Sequence, residues 1–236
     1  MRICIVGTGY VGLVAGTCLA EIGHRVVCVD DDRQKIEVLQ SGEMPIYEPG
    51  LEELVARNLR KGHLAFTADL KEGIEAATAV FICVGTPPLE DGDADLSAVE
   101  QVARRIGELS SSYKLVVEKS TVPVQTGMWI EKTLRVYRDG GHLEFDVASN
   151  PEFLREGSAV VDFLHPDRIV VGVEHPRAER LLWEMYDPII RRTFVCPVHS
   201  TCSATDPVPF LVTDIRSAEL IKHASNSFLA AKISFI

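Results

Sequence analysis

The sequence predicts an α/β protein with a Rossmann-type, mostly parallel sheet, helices on both faces, and then the start of a long connecting helix. Three observations predict this fold class. Short apolar runs alternate with helical patterns along most of the chain, as in parallel strands joined by helices. The first apolar run leads directly into a glycine-rich turn that begins at Gly7. Near the other end, Thr213-Asp214 can cap a helix that begins at about Ile215.

The predicted elements follow one another in a regular order. Strand-like runs lie at 3–6, 26–29, 64–67, 79–84, 115–119, 145–149 and 169–173. Helical patterns lie at 11–22, 33–40, 50–60, 96–109, 126–136 and 177–186. The segment 196–209 is rich in Pro, Ser and Thr and predicts a loop. We therefore expect a Rossmann-like domain over 1–205 and the start of a linker helix within 206–236.

The predicted last helix has no stop signal. From Ser227 onward the sequence contains no Gly, Asn or Pro that would end a helix. Its apolar residues have no later segment to cover them; they are Phe228, Leu229, Ile233, Phe235 and Ile236. We expect a protein cut within a longer helix.

Charge and composition exclude several classes of function. The 236 residues carry a formal net charge of −10, which disfavours nucleic acid and anionic membrane as partners. An anionic substrate would therefore need local basic groups. Charged residues interrupt every apolar run well short of the ~20 residues that span a membrane, and no signal peptide is recognisable. These observations favour a cytoplasmic protein.

The six cysteines show no paired spacing. Four of them lie on predicted strands or a helix, where a thiol is usually a small core residue: Cys4, Cys18, Cys28 and Cys83. Cys196, His199 and Cys202 could share a metal ion, but no fourth Cys or His lies close to them in sequence. The sequence therefore predicts ordinary loop residues there, no metal, and a reducing compartment.

The turn after the first strand is typical of dinucleotide binding. In Gly7-Thr8-Gly9-Tyr10-Val11-Gly12, the three glycines permit a tight turn, a close phosphate and close helix packing. The following helix N-terminus attracts the pyrophosphate. Asp30, at the end of the second strand, is placed to accept hydrogen bonds from a ribose. Asp30-Asp31-Asp32 would repel a 2′-phosphate, so the sequence favours NAD over NADP.

Two further strand ends carry residues that could face a ligand. Val84-Gly85-Thr86-Pro87-Pro88 forms a stiff turn with one hydroxyl, suited to the ribose side of a dinucleotide. Ser120-Thr121 offers two hydroxyls at the next strand end, within reach of the nicotinamide or a water. A purely structural turn and simple helix capping remain equal alternatives.

Two pairs of polar residues are spaced four apart. Glu152 and Glu156 would share a face of a helical turn, and a carboxylate beside NAD+ is a plausible general base. Lys222 and Asn226 share a face of the last helix, and together they could stabilise a developing oxyanion. The alternatives are carboxylates that simply face solvent, and Lys222 paired with Glu219 on an exposed face.

Taken in order, these motifs resemble the nucleotide-sugar 6-dehydrogenase family along the whole chain. The motifs are GTGYVG, IYEPGL from Ile46, VGTPP, KSTVPV, SNPEFLREG, HPDRIVVG and AELIKHASNSFLAAKIS. The YEPGL segment resembles the UDP-glucose branch more than the GDP-mannose or UDP-N-acetylmannosamine branches. That segment and PEFLRE also disfavour a 3-hydroxyacid or 6-phosphogluconate dehydrogenase.

The resemblance implies oxidation of the sugar C6 alcohol of UDP-glucose to a carboxylate, in two hydride transfers to NAD+. It implies that Gly7 to Gly12, Asp30 and Lys35 hold the adenosine diphosphate. The ribose and nicotinamide would be lined by Val84, Gly85, Thr86, Pro87, Pro88, Ser120, Thr121, Val122 and Glu156. Glu152 would be the acid/base, Thr121 would help place a water, Lys222 would steady the oxyanion and Asn226 would assist. Residues 153–156 (Phe153, Leu154, Arg155 and Glu156) would contact the sugar nucleotide.

The resemblance also implies parts that this sequence does not contain. The nucleophilic cysteine of the family, its neighbouring aspartate and the uridine-binding domain are expected beyond Ile236, as is most of a helix that forms a homodimer. Gln125 stands where many members have Gly, and the 196–207 loop fits the family poorly. The competing hypothesis is a short NAD-binding module without catalysis.

Overall fold

The fold is seen in a computed structural model that describes residues 1–138, 144–199, 202 and 206–236. The strands are β1 (Arg2–Val6), β2 (Arg25–Val29), β3 (Leu64–Thr67), β4 (Ala79–Ile82), β5 (Lys114–Glu118), β6 (Phe145–Ser149), β7 (Ile169–Val173) and β8 (Phe210–Thr213). They form one sheet in the order β3-β2-β1-β4-β5-β6-β7-β8. All neighbouring pairs are parallel except β6 and β7. The predicted mostly parallel α/β fold is confirmed.

Helices cover both faces of the sheet. They are α1 (Tyr10–Glu21), α2 (Arg33–Ser41), α3 (Leu51–Lys61), α4 (Leu70–Ala76), α5 (Ser97–Leu109), α6 (Thr126–Tyr137), α7 (Ala159–Leu164), α8 (Pro176–Ile190) and α9 (Ile215–Phe235). Alternate side chains of a strand point to opposite faces. In β1, Ile3 and Ile5 pack into one buried cluster with α1, α3, α7 and α8. Cys4 and Val6 pack into the other, with α4, α5 and α6.

Three elements were missing from the sequence prediction. Helices α4 and α7 are too short to show a helical period, and β8 has no buried run because it lies at the sheet edge. The predicted end of α8 at residue 186 was also wrong. The helix continues through Pro188 to Ile190, because Ile189 and Ile190 are buried against the core.

The last helix begins where the sequence predicted. The Asp214 carboxylate accepts a hydrogen bond from the backbone N–H of Ser217 at 3.0 Å and caps α9. The first turns of α9 pack on the sheet, whereas Phe228, Ile233 and Phe235 are exposed. β8 pairs with β7, so residues 210–213 extend the sheet although the predicted division places them with the linker helix.

Among the described residues, no helix is long and apolar enough to cross a membrane.

Candidate functional site

The glycine-rich turn between β1 and α1 has the geometry that a pyrophosphate requires. Gly7 has a φ of +100°, and a Cβ there would lie 2.6 Å from the Cys83 carbonyl oxygen. A Cβ on Gly12 would lie 1.9 Å from the Gly7 carbonyl oxygen, so α1 can pack this closely only with glycine. Around Gly9 the space within 4 Å is open. Each glycine therefore has the role that the motif predicts: Gly7 permits the tight turn, Gly12 permits close packing of α1, and Gly9 leaves room for a ligand.

Asp30 closes the far side of this turn. Its carboxylate accepts hydrogen bonds from the backbone N–H and the hydroxyl of Thr8, both at 2.7 Å, and from Lys35 Nζ at 3.0 Å. Burial raises the pKa of the Asp30 carboxyl, but the bonds from Thr8 and Lys35 outweigh it and hold that pKa below its usual value. A buried, ionised carboxylate at the end of β2 is the group that a ribose diol would meet.

The loops after β4 and β5 are joined to each other. The Thr86 hydroxyl donates to the Thr121 carbonyl oxygen at 2.8 Å, and the Ser120 hydroxyl donates to the Val84 carbonyl oxygen at 2.8 Å. His223 of α9 lies 2.5 Å from the Val122 carbonyl oxygen through Nε2. The hydroxyls of Thr86 and Ser120 therefore hold the two loops together, as the hypothesis of a purely structural turn expects. Neither residue caps a helix.

A cavity of about 570 Å³ opens beyond the carboxyl end of β6. That volume is in the range of small-molecule sites. It is lined by most of the residues predicted to touch a substrate: Glu152, Phe153, Leu154, Arg155, Lys222 and Asn226. It is also lined by Lys119, Asn150, Phe163, His165, Arg168 and Tyr186, to which the sequence assigned no role.

A largely buried ion pair forms part of the wall of this cavity. Lys222 Nζ is 2.5 Å from Glu152 Oε1 and donates to the Glu152 carbonyl oxygen at 2.8 Å. The two side chains are 10% and 11% exposed. The alternative of Lys222 paired with Glu219 on an exposed face is wrong: the Glu219 carboxylate instead accepts the backbone N–H groups of Gln125 and Gly127, both at 2.7 Å.

Lys119 supplies a second buried cation at the cavity wall. Its Nζ lies 3.1 Å from Asn150 Oδ1. Asn150 Oδ1 also accepts the Tyr186 hydroxyl at 2.6 Å, and its Nδ2 donates to the Val170 carbonyl oxygen at 2.8 Å. Burial lowers the pKa of the Lys119 ammonium. Lys119 directly follows β5, and Asn150 directly follows β6. This position at the end of a parallel strand is the sequence signal that could have identified them.

Two cations of the cavity lie over the ring of Phe153. The Arg168 guanidinium lies 4.7 Å from the centre of the Phe153 ring, and Lys222 Nζ lies 5.9 Å from the same centre. Arg155 is turned outward, where its guanidinium pairs with Asp162 at 2.7 Å. The cavity lining carries four cations (Lys119, Arg155, Arg168 and Lys222) and three carboxylates (Glu152, Asp162 and Asp167), so it is less acidic than the chain as a whole.

Two predicted site residues, Thr121 and Glu156, lie outside the lining of this cavity. Residues 151–155 form no helix, so the expectation that Glu152 and Glu156 share a helical face is wrong. Glu156 is exposed in the turn before α7 and does not line the cavity. Thr121 also lies outside the cavity lining, on the side of the β4 and β5 loops.

Glu48 connects the glycine turn to the segment that lines the cavity, and sequence analysis assigned no role to this residue. Its buried carboxylate accepts the Tyr10 hydroxyl at 2.6 Å, and the backbone N–H groups of Gly157 and Ala159 at 2.9 and 2.8 Å. Tyr10 also donates to the Arg155 carbonyl oxygen at 3.1 Å. The position of Glu48 in the YEPGL segment was the only signal, because its partners lie 38, 109 and 111 positions away in the sequence.

The predicted core cysteines are confirmed as buried: Cys4, Cys18, Cys28 and Cys83. Burial raises the pKa of the Cys83 thiol to about 12, which keeps it protonated and poorly nucleophilic. Among the described residues, no cysteine lines the cavity.

Comparison with known proteins gives the family. Residues 1–190 match the NAD binding domain of the UDP-glucose/GDP-mannose dehydrogenase family. The chain belongs to that family. Its Rossmann sheet is therefore the NAD-binding domain of a nucleotide-sugar dehydrogenase, and the predicted cofactor, NAD, is confirmed.

Relatives in this family match the chain from end to end. It is 45% identical over 235 residues to the UDP-glucose 6-dehydrogenase TuaD of Bacillus subtilis, covering 100% of this chain and 47% of that protein. It is 47% identical over 239 residues to a UDP-glucose 6-dehydrogenase of Rhizobium meliloti, covering 100% and 51%. The chain thus spans about half the length of the curated relatives it matches.

Solved structures in the family share the fold. A UDP-glucose dehydrogenase from Pyrobaculum islandicum superposes with a TM-score of 0.87 at 44% identity, covering 99% of this chain and 50% of that one. A GDP-mannose dehydrogenase from Pseudomonas aeruginosa, solved as a ternary complex, superposes with a TM-score of 0.88 at 35% identity, covering 100% and 51%.

Proposed function

We propose that the protein oxidises the C6 alcohol of UDP-glucose to the carboxylate of UDP-glucuronate in two hydride transfers. The observation that carries this proposal is the buried pair of Lys222 and Glu152, at 2.5 Å, in a cavity beside the dinucleotide turn. A carboxylate and an ammonium side by side supply the base and the oxyanion partner that alcohol oxidation needs.

The residues around the glycine turn fit NAD. The backbone around Gly9 would hold the pyrophosphate, because this stretch is open and lies at the N-terminus of α1. Asp30, with Lys35 beside it, would bind the adenosine ribose. The loops at 84–88 and 120–122 would line the nicotinamide side. When bound, NAD+ supplies the hydride acceptor.

Glu152 accepts the proton of the C6 hydroxyl. Its Oε1 faces Lys222, and its Oε2 already accepts the Leu154 backbone N–H at 2.6 Å, which fixes the carboxylate plane. Lys222 then faces the oxygen from which the proton has left, and stabilises its negative charge. Asn226, one helical turn further along α9 and also in the cavity lining, assists at that oxygen.

The basic groups of the cavity favour a substrate with a diphosphate. Lys119, Lys222 and Arg168 contribute positive charge, and residues 153–155 offer backbone groups at its wall. A nucleotide sugar carries two phosphate charges that such a wall would attract. UDP-glucose is the substrate in the names of the relatives given above, and we propose it for this protein.

The second oxidation requires a nucleophile that converts the aldehyde to an acyl intermediate. We propose that a cysteine beyond residue 236 supplies it. In support, the relatives are about twice as long, and no cysteine lines the cavity in the described part of the chain.

We further propose that the protein is a homodimer that uses α9, and that it acts in the cytoplasm. The support for the dimer is the exposed apolar surface of α9, formed by Phe228, Leu229, Ile233 and Phe235. The support for a reducing compartment is that all six cysteines are free.

The decisive experiment uses the complete product of the gene that encodes this chain. We expect NADH formation with UDP-glucose, at two NADH per sugar, and much less with GDP-mannose or UDP-N-acetylmannosamine. Lys222→Met should reduce kcat strongly, whereas Lys232→Met, on the exposed end of the same helix, should not. NADH formation with GDP-mannose alone would replace the proposed substrate, and NAD binding without any oxidation would support the binding module.

A further inference from the structure

Four metal-binding side chains meet at the end of α7, and none of them belongs to the Lys222–Glu152 pair. They are His165, Cys196, His199 and Cys202, and one donor atom from each lies within 4.8 Å of all the others. The sequence offered only three of them, within seven positions. The structure adds His165, 31 positions before Cys196, because α7 ends beside the connection between α8 and β8.

The thiol of Cys196 lies in the middle of this cluster. Its Sγ is 3.1 Å from His165 Nε2 and 3.5 Å from His199 Nδ1. The backbone N–H of His199 donates to the same sulfur at 3.3 Å, a contact that stabilises a thiolate. Cys202 Sγ lies 3.9 Å from His165 Nδ1. The rings of His165 and His199 are 5.0 Å apart between centres.

The separations of Cys196 Sγ from His165 Nε2 and His199 Nδ1 are close to those of a tetrahedral metal site, whereas the 3.9 Å contact of Cys202 Sγ is to the other ring nitrogen of His165. Zinc takes sulfur at about 2.3 Å and imidazole nitrogen at about 2.0–2.1 Å, which places neighbouring ligand atoms about 3.3–3.8 Å apart. Two cysteines and two histidines form a donor set that selects zinc over magnesium or calcium, which prefer oxygen. Four protein ligands fill the coordination shell, so the arrangement is that of a structural rather than a catalytic site.

We propose that His165, Cys196, His199 and Cys202 bind one Zn2+ ion that pins the connection between α8 and β8 to the end of α7.

The connection itself gives a reason for such an ion. It runs from residue 191 to 209, and its described residues contain no helix or strand. Connections of this length without regular structure are uncommon in compact domains and are usually either functional or disordered, and a bound ion would hold this one in place. Three of the four ligands lie within it at the close spacing Cys-x2-His-x2-Cys, and the fourth lies on the body of the domain.

Arg192 must adjust when the ion binds. Its Nη1 lies 3.2 Å from His165 Nδ1, and its Nε donates to the Asp206 carbonyl oxygen at 2.7 Å. An imidazole that binds a metal through Nε2 carries its hydrogen on Nδ1, so the guanidinium then turns away from the ring. Two thiolates neutralise the charge of Zn2+, and the nearby guanidinium therefore faces no excess of positive charge.

The ion would also brace the candidate active site. His165 lines the cavity, and so do the residues that follow it, Pro166, Asp167 and Arg168. Fixing His165 to the connection after α8 would hold this wall of the cavity, including the guanidinium that lies over Phe153. The Zn2+ site is independent of which nucleotide sugar the protein uses.

The test is metal content and thiol accessibility in protein purified from zinc-supplemented cultures. We expect about one zinc per chain by elemental analysis, retained through gel filtration. Peptide mapping should show that Cys196 and Cys202 resist alkylation until a chelator is added. Replacement by Co2+ should give the visible absorption of a tetrahedral thiolate site.

Variants separate this site from surface binding. Cys196→Ser and Cys202→Ser should each lower the retained zinc at least tenfold, whereas His63→Asn, in the loop between α3 and β3, should retain it. A chelator should lower the Tm of the unsubstituted protein, a measurement that does not depend on the variants folding. Zinc content that is unchanged in Cys196→Ser would overturn the proposal. So would thiols that react without chelator, or that react only after a reductant, which would indicate a disulfide.

Discussion

The hydroxyl of Tyr10 donates to the carboxylate of Glu48 at 2.6 Å and so joins the start of α1 to the segment before α3. The same carboxylate accepts two backbone N–H groups at the start of α7. One buried side chain therefore fixes the glycine turn relative to the wall of the cavity that Glu152 and Lys222 line.

We expect Glu48→Gln to destabilise the protein by about 1–3 kcal/mol, because an amide NH2 cannot accept the bonds that a carboxylate oxygen accepts. Tyr10→Phe removes only one of the three bonds and should cost about 0.5–1.5 kcal/mol. Urea unfolding measures both changes. A larger effect from Tyr10→Phe than from Glu48→Gln would show that Glu48 is not the centre of this network.

Asp30→Ala should weaken NAD binding by about 1–3 kcal/mol, the scale for losing a charged hydrogen-bond partner. Isothermal calorimetry measures the affinity. Asp31→Ala is the matched control, because it removes the same charge one position away from an exposed side chain. Equal effects of the two substitutions would remove Asp30 from the cofactor site.

Gln125→Gly should stabilise the protein by about 0.5–1 kcal/mol. Gln125 begins α6 with a φ of +86°, a left-handed conformation that costs a non-glycine residue about 1–2 kcal/mol. Part of this gain is lost to the greater freedom of glycine in the unfolded chain. Its backbone N–H, which donates to Glu219, is kept. Thermal unfolding measures the change: Tm should rise for Gln125→Gly and fall for Val124→Gly, a substitution at the exposed neighbouring residue.

Glu118 should make stability fall as pH rises. It is fully buried beside Glu219, and Oε1 has no hydrogen-bond partner among the described residues. Burial, with a smaller contribution from Glu219, raises the pKa of Glu118 well above its usual 4.5. A raised folded-state pKa means that stability is complete below the unfolded value and declines as pH increases, by up to about 1.4 kcal/mol per pH unit.

Glu118→Gln removes this titration. We expect its advantage over the unsubstituted protein to grow between about pH 5 and about pH 8 in urea unfolding. Lys119 and Glu219 remain in both proteins, so the difference isolates Glu118. Glu100→Gln, at an exposed carboxylate, is the matched control for the substitution itself. A constant difference for Glu118→Gln would contradict the raised pKa.

This 236-residue chain should bind NAD and yet form no UDP-glucuronate, so that at most one NADH forms per UDP-glucose. The reason is that the cavity has a base and a cation but, in its described part, no thiol to carry the second step. Absorbance of NADH measures turnover, with the complete gene product as the positive control. Oxidation through to UDP-glucuronate by the 236-residue chain would disprove the proposed position of the nucleophile.

The sequence predicted features whose cause is local. The buried strands are short apolar runs, the glycine turn follows β1 directly, and Asp214 caps α9 within three positions. The family resemblance also placed Glu152 and Lys222, which do meet. The form of their contact could not be derived locally, because the two residues lie 70 positions apart.

Contacts over long sequence separation explain the rest. Glu48 was unassigned because its partners come from α1 and from the turn before α7. His165 joins the Cys196 cluster only through the packing of α7 beside the connection after α8. In β8, edge position rather than a buried pattern decides the strand, since pairing with β7 satisfies its backbone.

The reversed direction of β7 has a consequence for how the two ligand regions can change. Because β6 and β7 are antiparallel, the chain beyond the end of β6 runs beside the beginning of β7, so that Phe153 meets Arg168. The cofactor turn depends on β1, β2 and β4, which lie on the other half of the sheet. Insertions or substitutions between α7 and β7 can therefore change the wall of the cavity without altering the strands that carry the glycine turn. Related proteins could in this way differ in substrate and keep the same affinity for the dinucleotide.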